Sequence, residues 1–548
     1  MSLLVDPPQR DGADGRTPDQ ASPAPGETVT AAPPAATERE PSAPEAAPEA
    51  AATVAPSPET ASVPETGPAP ETRLAEPPLN GGRVEALMGA LIRVLSHSPL
   101  ARPLPAVVIS VLGLCGVAYN GLCATAPEPS VATPPVLLPL TKVAENLGAR
   151  HVPDVLANVI MYASIALCAF GLAGMLWANS HGWSPNPRRV FLAAAAGVAV
   201  LVNITPVGSG DIASYAAYGR IAALGHNPYT FSPAMLPGGK HNPYTAIVGT
   251  QWQKTPSVYG PVATWLHLFA AEIGGTRPWL TIWVLMILTG AAFLATGYVL
   301  LRTAENPVRA VLLWAANPLL IVELVMGGHL DAFLALAAIA AIVVARRSSR
   351  PWHDLVVGLL VGASAGLKIN AAFVALAIAI PLIHDRAWAR LGRTAAAAAL
   401  TTFCLYFFSY GLSVLKPLRE ASTMVIAPTF WRLAQVLVQR HVSLHAEHTV
   451  TSVFGFVWPP LMLLLAWYLY NRLSPDVPTV VAASCALTFA WMVVAPWQLP
   501  WYSSVAWVAL ALLPRNSLTR WLTIATGTLA MMHFNGGHPT YTPVGPTP

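Results

Sequence analysis

The chain has 548 residues, of which 54% are hydrophobic and only 11% are charged, and its mean hydropathy is +0.50. These values suit a membrane protein better than a soluble one, and no nucleic-acid partner is expected. Residues 1–80 hold 13 of the 27 acidic and 4 of the 31 basic side chains, so the remaining chain carries a net charge of +13.

The N-terminal segment has a composition unlike the rest. Residues 1–82 are rich in Pro, Ala and Glu and cannot bury enough apolar surface to fold, so they are predicted to be a disordered cytoplasmic tail. Residues 83–537 are predicted to form one transmembrane domain, followed by a short external tail, 538–548. The five Cys show no CxxC spacing, so we expect neither a disulfide frame nor a metal site.

About thirteen apolar segments follow the tail. Each is a candidate membrane helix, although the last four are short for a bilayer. The sequence therefore predicts an all-α polytopic membrane protein, and the segments are 104–124, 154–177, 190–205, 279–301, 310–326, 331–345, 394–415, 450–470, 478–495, 355–367, 371–383, 500–513 and 521–535.

The placement of Arg predicts the orientation. The Arg clusters next to the spans fall on one side if the segment 258–273 is a re-entrant or surface helix, and that side is then cytoplasmic. Two large loops, about 206–278 and 416–449, are then external. The protein is expected in the plasma membrane, with its site on the external face.

Lys368 interrupts the apolar stretch 355–383. Two half-length helices that meet at this residue fit the pattern, because ligand sites in membrane proteins are often built at broken helices. A single tilted span with a buried Lys368 fits it as well.

The stretch "SGDIASYAAYGRIAALGHNPY" opens the first external loop. If 211–222 is helical, Asp211, Tyr215 and Tyr218 share one face. An acid beside two aromatic rings suits proton abstraction from a sugar hydroxyl. The alternative is that Asp211 only caps the helix.

The pentapeptide His-Asn-Pro-Tyr-Thr occurs twice in this loop, at 226–230 and 241–245. Asn-Pro favours turns. The first copy, with Asn227 and Tyr229, is predicted to belong to a sugar-binding lid, and the second to be a supporting turn. Tyr259 closes the loop.

Further polar groups are predicted on the same side. His329 and Asp331 follow the Gly327-Gly328 turn and either orient a substrate or serve the turn and the helix start. Lys368 is predicted to bind an anion such as phosphate, with Glu323 or Asp331 as the alternative partner. The remaining predicted binding residues lie in the second loop and at an aromatic rim, namely Arg432, Gln498, Trp501 and Tyr502.

These motifs, with "VYGP", "ANPLLIVELVMGGHLDAFLAL", "GLKINAAF" and "APWQLPWYSSVAWVALAL", occur in the order found in a known family. Over roughly residues 100–535 the chain resembles the polyprenol-phosphomannose-dependent α-1,6-mannosyltransferases of mycobacteria and corynebacteria, which are GT-C superfamily glycosyltransferases. The chain departs from that pattern at "GHLDAF", where relatives often have His-Asn-Asp/Glu, and at "DIASY", where some have Asp-Thr-Tyr-Ser-Tyr.

The resemblance implies a GT-C-type bundle and the transfer of mannose from a polyprenyl-phosphate carrier to a mannan, the core of lipomannan and lipoarabinomannan. It implies Asp211 as general base. The expected partners are the lipid-linked donor, a mannan or glycolipid acceptor and membrane lipids, and no cofactor or metal is required. Two alternatives stay open: the same chemistry with another lipid-linked sugar such as arabinose, and a lipid flippase or secondary transporter.

Overall fold

A computed structural model gives the fold of residues 103–123, 138–148, 152–347, 350–422, 424–426, 429–441, 447–473 and 475–533. The predicted tails, 1–82 and 538–548, lie outside these described residues. In the described part every regular element is a helix, which confirms the all-α prediction.

The α-helices are numbered in chain order. They are α1 (Pro103–Leu122), α2 (Pro139–Asn146), α3 (Asp154–Ser180), α4 (Pro187–Leu201), α5 (Asp211–Ala223), α6 (Pro243–Ala246), α7 (Pro261–Gly274), α8 (Pro278–Thr303), α9 (Pro307–Leu313), α10 (Pro318–Leu320), α11 (Asp331–Arg346), α12 (Pro351–Ala365), α13 (Ala372–His384), α14 (Trp388–Ser409), α15 (Leu415–Ser422), α16 (Phe430–His441), α17 (Glu447–Tyr470), α18 (Thr479–Val494), α19 (Ser504–Leu512) and α20 (Leu518–His533).

Five of these helices are long and apolar enough to cross a membrane, and a bent pair of shorter helices could supply a sixth span. The predicted count of about 13 spans is therefore not confirmed, although a helix lies in each of the thirteen apolar segments. The reason is length. The 16 residues of α18 extend about 24 Å, less than the hydrocarbon thickness of about 30 Å.

Small residues bring the long helices into close contact. Gly113 of α1 and Gly171 of α3 lie where an added Cβ would meet the facing helix, and Gly358 and Gly362 do the same between α12 and α14. Close approach of backbones replaces the hydrophobic effect as the source of packing energy inside a bilayer.

Two breaks interrupt the apolar bundle. The chain bends by 40° between α9 and the segment Pro318–Met326, whose last six residues, Ile321–Met326, form a π-helix. A second break separates α12 from α13, with a 3₁₀ turn at Ile369–Ala371. The structure thus has the two shorter helices predicted around Lys368 and not a single tilted span.

The two His-Asn-Pro-Tyr-Thr copies share one side-chain hydrogen bond, although the second copy also opens α6. The Asn227 side chain accepts a hydrogen bond from the Tyr229 N–H (3.0 Å), and Asn242 accepts one from the Tyr244 N–H (2.9 Å). Each Tyr hydroxyl then lies 2.8 Å from a Thr hydroxyl, on α7 for the first copy and on α8 for the second. The repeat therefore fastens the loop to two helices.

Candidate functional site

A cavity of about 380 Å³ lies where α5, the Lys368 break and the second loop meet. Asp211 and Lys368 both line it, and Lys368 is the one Lys or Arg among the described residues of its wall. The aromatic residues of its lining are Tyr218, Trp252, Tyr259, Phe373, Trp458, Trp491, Trp497 and Tyr502.

Asp211 is the first residue of α5. The N-cap position belongs to Gly210, so Asp211 lies inside the helix start and does not act as its cap residue. Tyr215, one turn along, directs its hydroxyl at Oδ2 of Asp211 (3.4 Å), and the Tyr218 hydroxyl donates to the Thr255 carbonyl (3.1 Å). The predicted shared face of α5 is confirmed.

Burial keeps the two phenols near Asp211 in their neutral form. Tyr218 and Tyr259 are surrounded by apolar and aromatic groups, and this burial, with the nearby Asp211 carboxylate, raises the pKa of both well above the ordinary value. Both phenols are therefore neutral at physiological pH, and the Tyr218 proton is donated to the Thr255 carbonyl.

His329 lies directly behind Asp211. Its Nδ1 hydrogen-bonds the main-chain carbonyl of Glu323, at the π-helix, and its ring stacks on Trp501 at a centroid distance of 3.6 Å. Its Nε2 is 3.9 Å from Oδ2 of Asp211. Complete burial lowers the pKa of His329 from 6.5 to about 3, so the ring is neutral and this contact is not an ion pair at neutral pH.

Lys368 forms a buried ion pair. Its Nζ lies 2.9 and 3.2 Å from the two carboxylate oxygens of Asp331 and 4.0 Å from the centroid of the Tyr502 ring. The Lys368 side chain is 12% exposed and that of Asp331 is inaccessible. Of the partners considered for Lys368, the structure thus shows Asp331. Asp331 is not an N-cap either, because that position is Leu330.

Aromatic and apolar side chains complete the cavity. Trp252 and Trp497 meet edge to face at 6.2 Å, while Phe373 and Trp491 lie 5.3 Å apart on another part of the wall. Sequence reasoning missed most of these residues, including Trp458, because a Trp within an apolar run looks the same whether it faces lipid or a cavity.

The structure does not bring every predicted residue to the cavity wall. Tyr215 and His329 are buried behind Asp211, and Asp331 behind Lys368. Asn227 and Tyr229 bond within the loop and to α7, and Asn227 also donates to the Ser413 hydroxyl (2.9 Å). The other three lie elsewhere, with Arg432 donating to Gln435, Gln498 to the Val493 carbonyl, and Trp501 under His329.

The described residues contain no group of three or more His, Cys, Asp and Glu side chains arranged to hold a metal ion.

Comparison with known proteins gives a consistent result. Residues 110–385 match the family described as alpha-(1->6)-mannopyranosyltransferase, N-terminal domain. The relatives include alpha-(1->6)-mannopyranosyltransferase A of Corynebacterium glutamicum, 27% identical over 34% of this chain and 36% of the relative. An alpha-(1->6)-mannopyranosyltransferase of Mycobacterium tuberculosis is 33% identical over 24% of this chain and 23% of its own.

A probable alpha-(1->6)-mannopyranosyltransferase of Mycolicibacterium smegmatis is also 33% identical, over 24% of each chain. The matched stretches span between 23% and 36% of the length of these curated relatives. No solved structure matches the chain.

Proposed function

Because the chain belongs to the alpha-(1->6)-mannopyranosyltransferase family, we propose that it is a membrane glycosyltransferase. It transfers mannose from polyprenyl-phosphate-mannose to an α-1,6-mannan acceptor, the core of lipomannan and lipoarabinomannan. The reaction takes place at the external face of the plasma membrane and inverts the anomeric configuration.

One observation carries the proposal: an acid and a cation line the same cavity. Asp211, with a 30% exposed side chain, and Lys368 both line the 380 Å³ space. Glycosyl transfer from a phosphate carrier needs a base at the attacking hydroxyl and a positive charge at the leaving phosphate. Asp211 and Lys368 meet those two needs.

The mechanism is a single displacement. Asp211 takes the proton of an acceptor hydroxyl while that oxygen attacks the anomeric carbon. The bond from the anomeric carbon to the phosphate oxygen breaks, and polyprenyl phosphate leaves with the electron pair. Lys368 stabilises the developing phosphate charge, while Asp331 and the Tyr502 ring hold its ammonium in place.

The aromatic side of the cavity suits the lipid carrier. Phe373, Trp458 and Trp491 belong to α13, α17 and α18, and they offer an apolar wall next to Lys368. A polyprenyl chain on this wall would leave its phosphate at the cation. Tyr218, Tyr259 and Trp252 then surround the transferred sugar, since aromatic rings stack on sugar faces and phenols bond to their hydroxyls.

The remaining predicted site residues do not line the cavity, and we propose indirect roles for most of them. Asn227 and Tyr229 position the loop that carries Trp252 and Tyr259. Arg432 and Gln498 do not line the cavity, and their contact with the donor headgroup is proposed from the sequence alone. Trp501 supports His329.

Two other functions use the same features. A different lipid-linked sugar such as arabinose would need the same base and cation, and the "DIASY" departure beside Asp211 favours testing it. A flippase or transporter would use the broken helices and the buried ion pair, but it has no need of a base in the cavity.

The test is transfer by the purified protein in detergent or nanodiscs. Radiolabelled polyprenyl-phosphomannose and an α-1,6-mannan primer should give a longer labelled mannan. Asp211→Asn should lower the rate of transfer by about 10²–10⁴, which is the usual contribution of a general base. Asp385→Asn, a matched change at an exposed carboxylate just after α13, should leave the rate intact.

The outcomes separate the alternatives. Activity only with polyprenyl-phosphoarabinose would reassign the donor. Movement of the lipid between leaflets without transfer would support a flippase. A folded Asp211→Asn protein that transfers mannose at the unmodified rate would remove Asp211 from the mechanism.

A further inference from the structure

The Asp211–His329 contact has features that the proposed chemistry does not use. His329 is fully buried, lies behind the acid and does not line the cavity. The Glu323 carbonyl can only accept a hydrogen bond, so the His329 proton resides on Nδ1 and the Nε2 lone pair faces Asp211. Among the described residues, no hydrogen-bond donor reaches this Nε2.

The distance agrees with this assignment. While Asp211 is ionised, Oδ2 and Nε2 are both acceptors and have no proton to share, so a separation of 3.9 Å is expected for the resting state. It exceeds a hydrogen bond by about 1 Å. Hydrogen bonds of catalytic groups commonly shorten when the substrate is bound.

We propose that His329 is a positioning residue that accepts a hydrogen bond from Asp211 once Asp211 has taken the acceptor proton. The proton moves from the attacking hydroxyl to Oδ2, and the O–H bond formed there then donates to Nε2. The proton stays on Asp211, and His329 remains neutral. This inference rests on the proposed function of Asp211 as base.

The proposal has a consequence for the strength of the base. A hydrogen bond that only the protonated acid can donate stabilises that form, so His329 makes Asp211 a stronger base than it would be alone. The stacked Trp501 and the π-helix carbonyl hold the ring from two sides, so the acceptor is fixed before the reaction.

Other groups also face Asp211 and are left unchanged in the test. They are Tyr215 and Tyr218 on its own helix, Tyr259 from the following loop, and Tyr502 and Lys368, with its partner Asp331, across the cavity.

The experiment compares the pH dependence of transfer by the full-length protein and by His329→Phe, which keeps the ring on Trp501 but lacks Nε2. We expect kcat to fall by about 3- to 10-fold, because one pKa unit of base strength is worth at most a factor of ten in rate, while the KM for the lipid donor changes little. The acid limb of the profile should move down by roughly one pH unit, because protonated Asp211 has lost its acceptor.

Two further variants test the assignment. His329→Gln can place its amide oxygen near the position of Nε2, so it should recover part of kcat and return the acid limb toward its original position. His267→Phe is the matched control, since His267 is also fully buried and stacks on Tyr215 at 4.9 Å. It should leave the acid limb in place.

A folded His329→Phe protein whose kcat is within twofold of the unmodified value, or whose acid limb does not move, would overturn the proposal. An equal shift in His267→Phe would do the same, because it would show a general effect of buried His loss. If Asp211→Asn lowers transfer as expected while His329→Phe is unaffected, only this inference fails. If Asp211→Asn is fully active, the proposed function fails first.

Discussion

The contribution of the buried Lys368–Asp331 pair to stability can be separated experimentally from the contribution of Lys368 to catalysis. Replacing Lys368 by Met removes the cation and keeps most of the side-chain volume. Asp331 is inaccessible to solvent, so it would be left as a buried carboxylate that has lost the ammonium at 2.9 Å. Removal of one member of a buried pair costs about 3–5 kcal/mol.

The double variant Lys368→Met/Asp331→Asn should restore most of that stability. It leaves no buried charge, and replacement of both members of a pair is often close to neutral. The phosphate leaving group would still lack its cation. We therefore expect a folded protein whose kcat is about 10²–10³ lower, the usual effect of losing one group that stabilises transition-state charge.

Unfolding can be followed by intrinsic fluorescence, because the chain contains 17 Trp, several of which line the cavity beside this pair. Thermal unfolding of the two variants and the unmodified protein in one detergent gives the order of stability, and labelled mannan gives kcat. If the double variant is as unstable as Lys368→Met, the ion pair does not account for the loss. If the double variant transfers mannose at the full rate, Lys368 does not serve the leaving phosphate.

Three further results are expected. Gly260→Ala should destabilise the protein and lower transfer, because an added Cβ would collide with the Gly366 carbonyl and push the loop away from the Lys368 break; full activity and stability would contradict this contact. Arg309→Met should cost several kcal/mol in unfolding assays, since this buried guanidinium donates to two main-chain carbonyls, yet the folded fraction should keep its kcat. The folded pKa of His329 is about 3, below its ordinary value of 6.5, so between these two pH values the unfolded chain binds a proton that the folded protein does not. The stability of the folded protein should therefore be full above pH 6.5 and fall as the pH drops toward 3. The unfolding temperature of His329→Phe should vary less over that pH range.

Local patterns in the sequence predicted the parts of the fold that local physics determines. The shared face of Asp211, Tyr215 and Tyr218 follows from the helical period alone, and the structure has it. For the apolar stretch around Lys368, the sequence left a broken helix and a single tilted span open, and the structure has the break. The repeated Asn-Pro-Tyr turn follows from the chemistry of Asn and Pro.

Long-range contacts were beyond the sequence. Lys368 and Asp331 are 37 positions apart, and the sequence alone gave no reason to prefer Asp331 over Glu323 as the partner of Lys368. The anchoring of Tyr229 to Thr264 depends on where α7 packs, so a predicted sugar contact is found bonded to a helix. The span count was not confirmed because apolar composition alone does not distinguish a helix that crosses the bilayer from a shorter one packed inside the bundle.

The π-helix at Ile321–Met326 makes the tautomer of His329 insensitive to most point substitutions. The oxygen that selects the imidazole tautomer belongs to the polypeptide backbone, so every amino acid at position 323 would supply it. Point substitutions at that position can therefore alter packing without changing which ring nitrogen holds hydrogen. Only an insertion or deletion that shifts the helical register would move this carbonyl away from Nδ1 and so change the tautomer. When relatives of different reactivity are compared, insertions and deletions in this short stretch are therefore more informative than single substitutions.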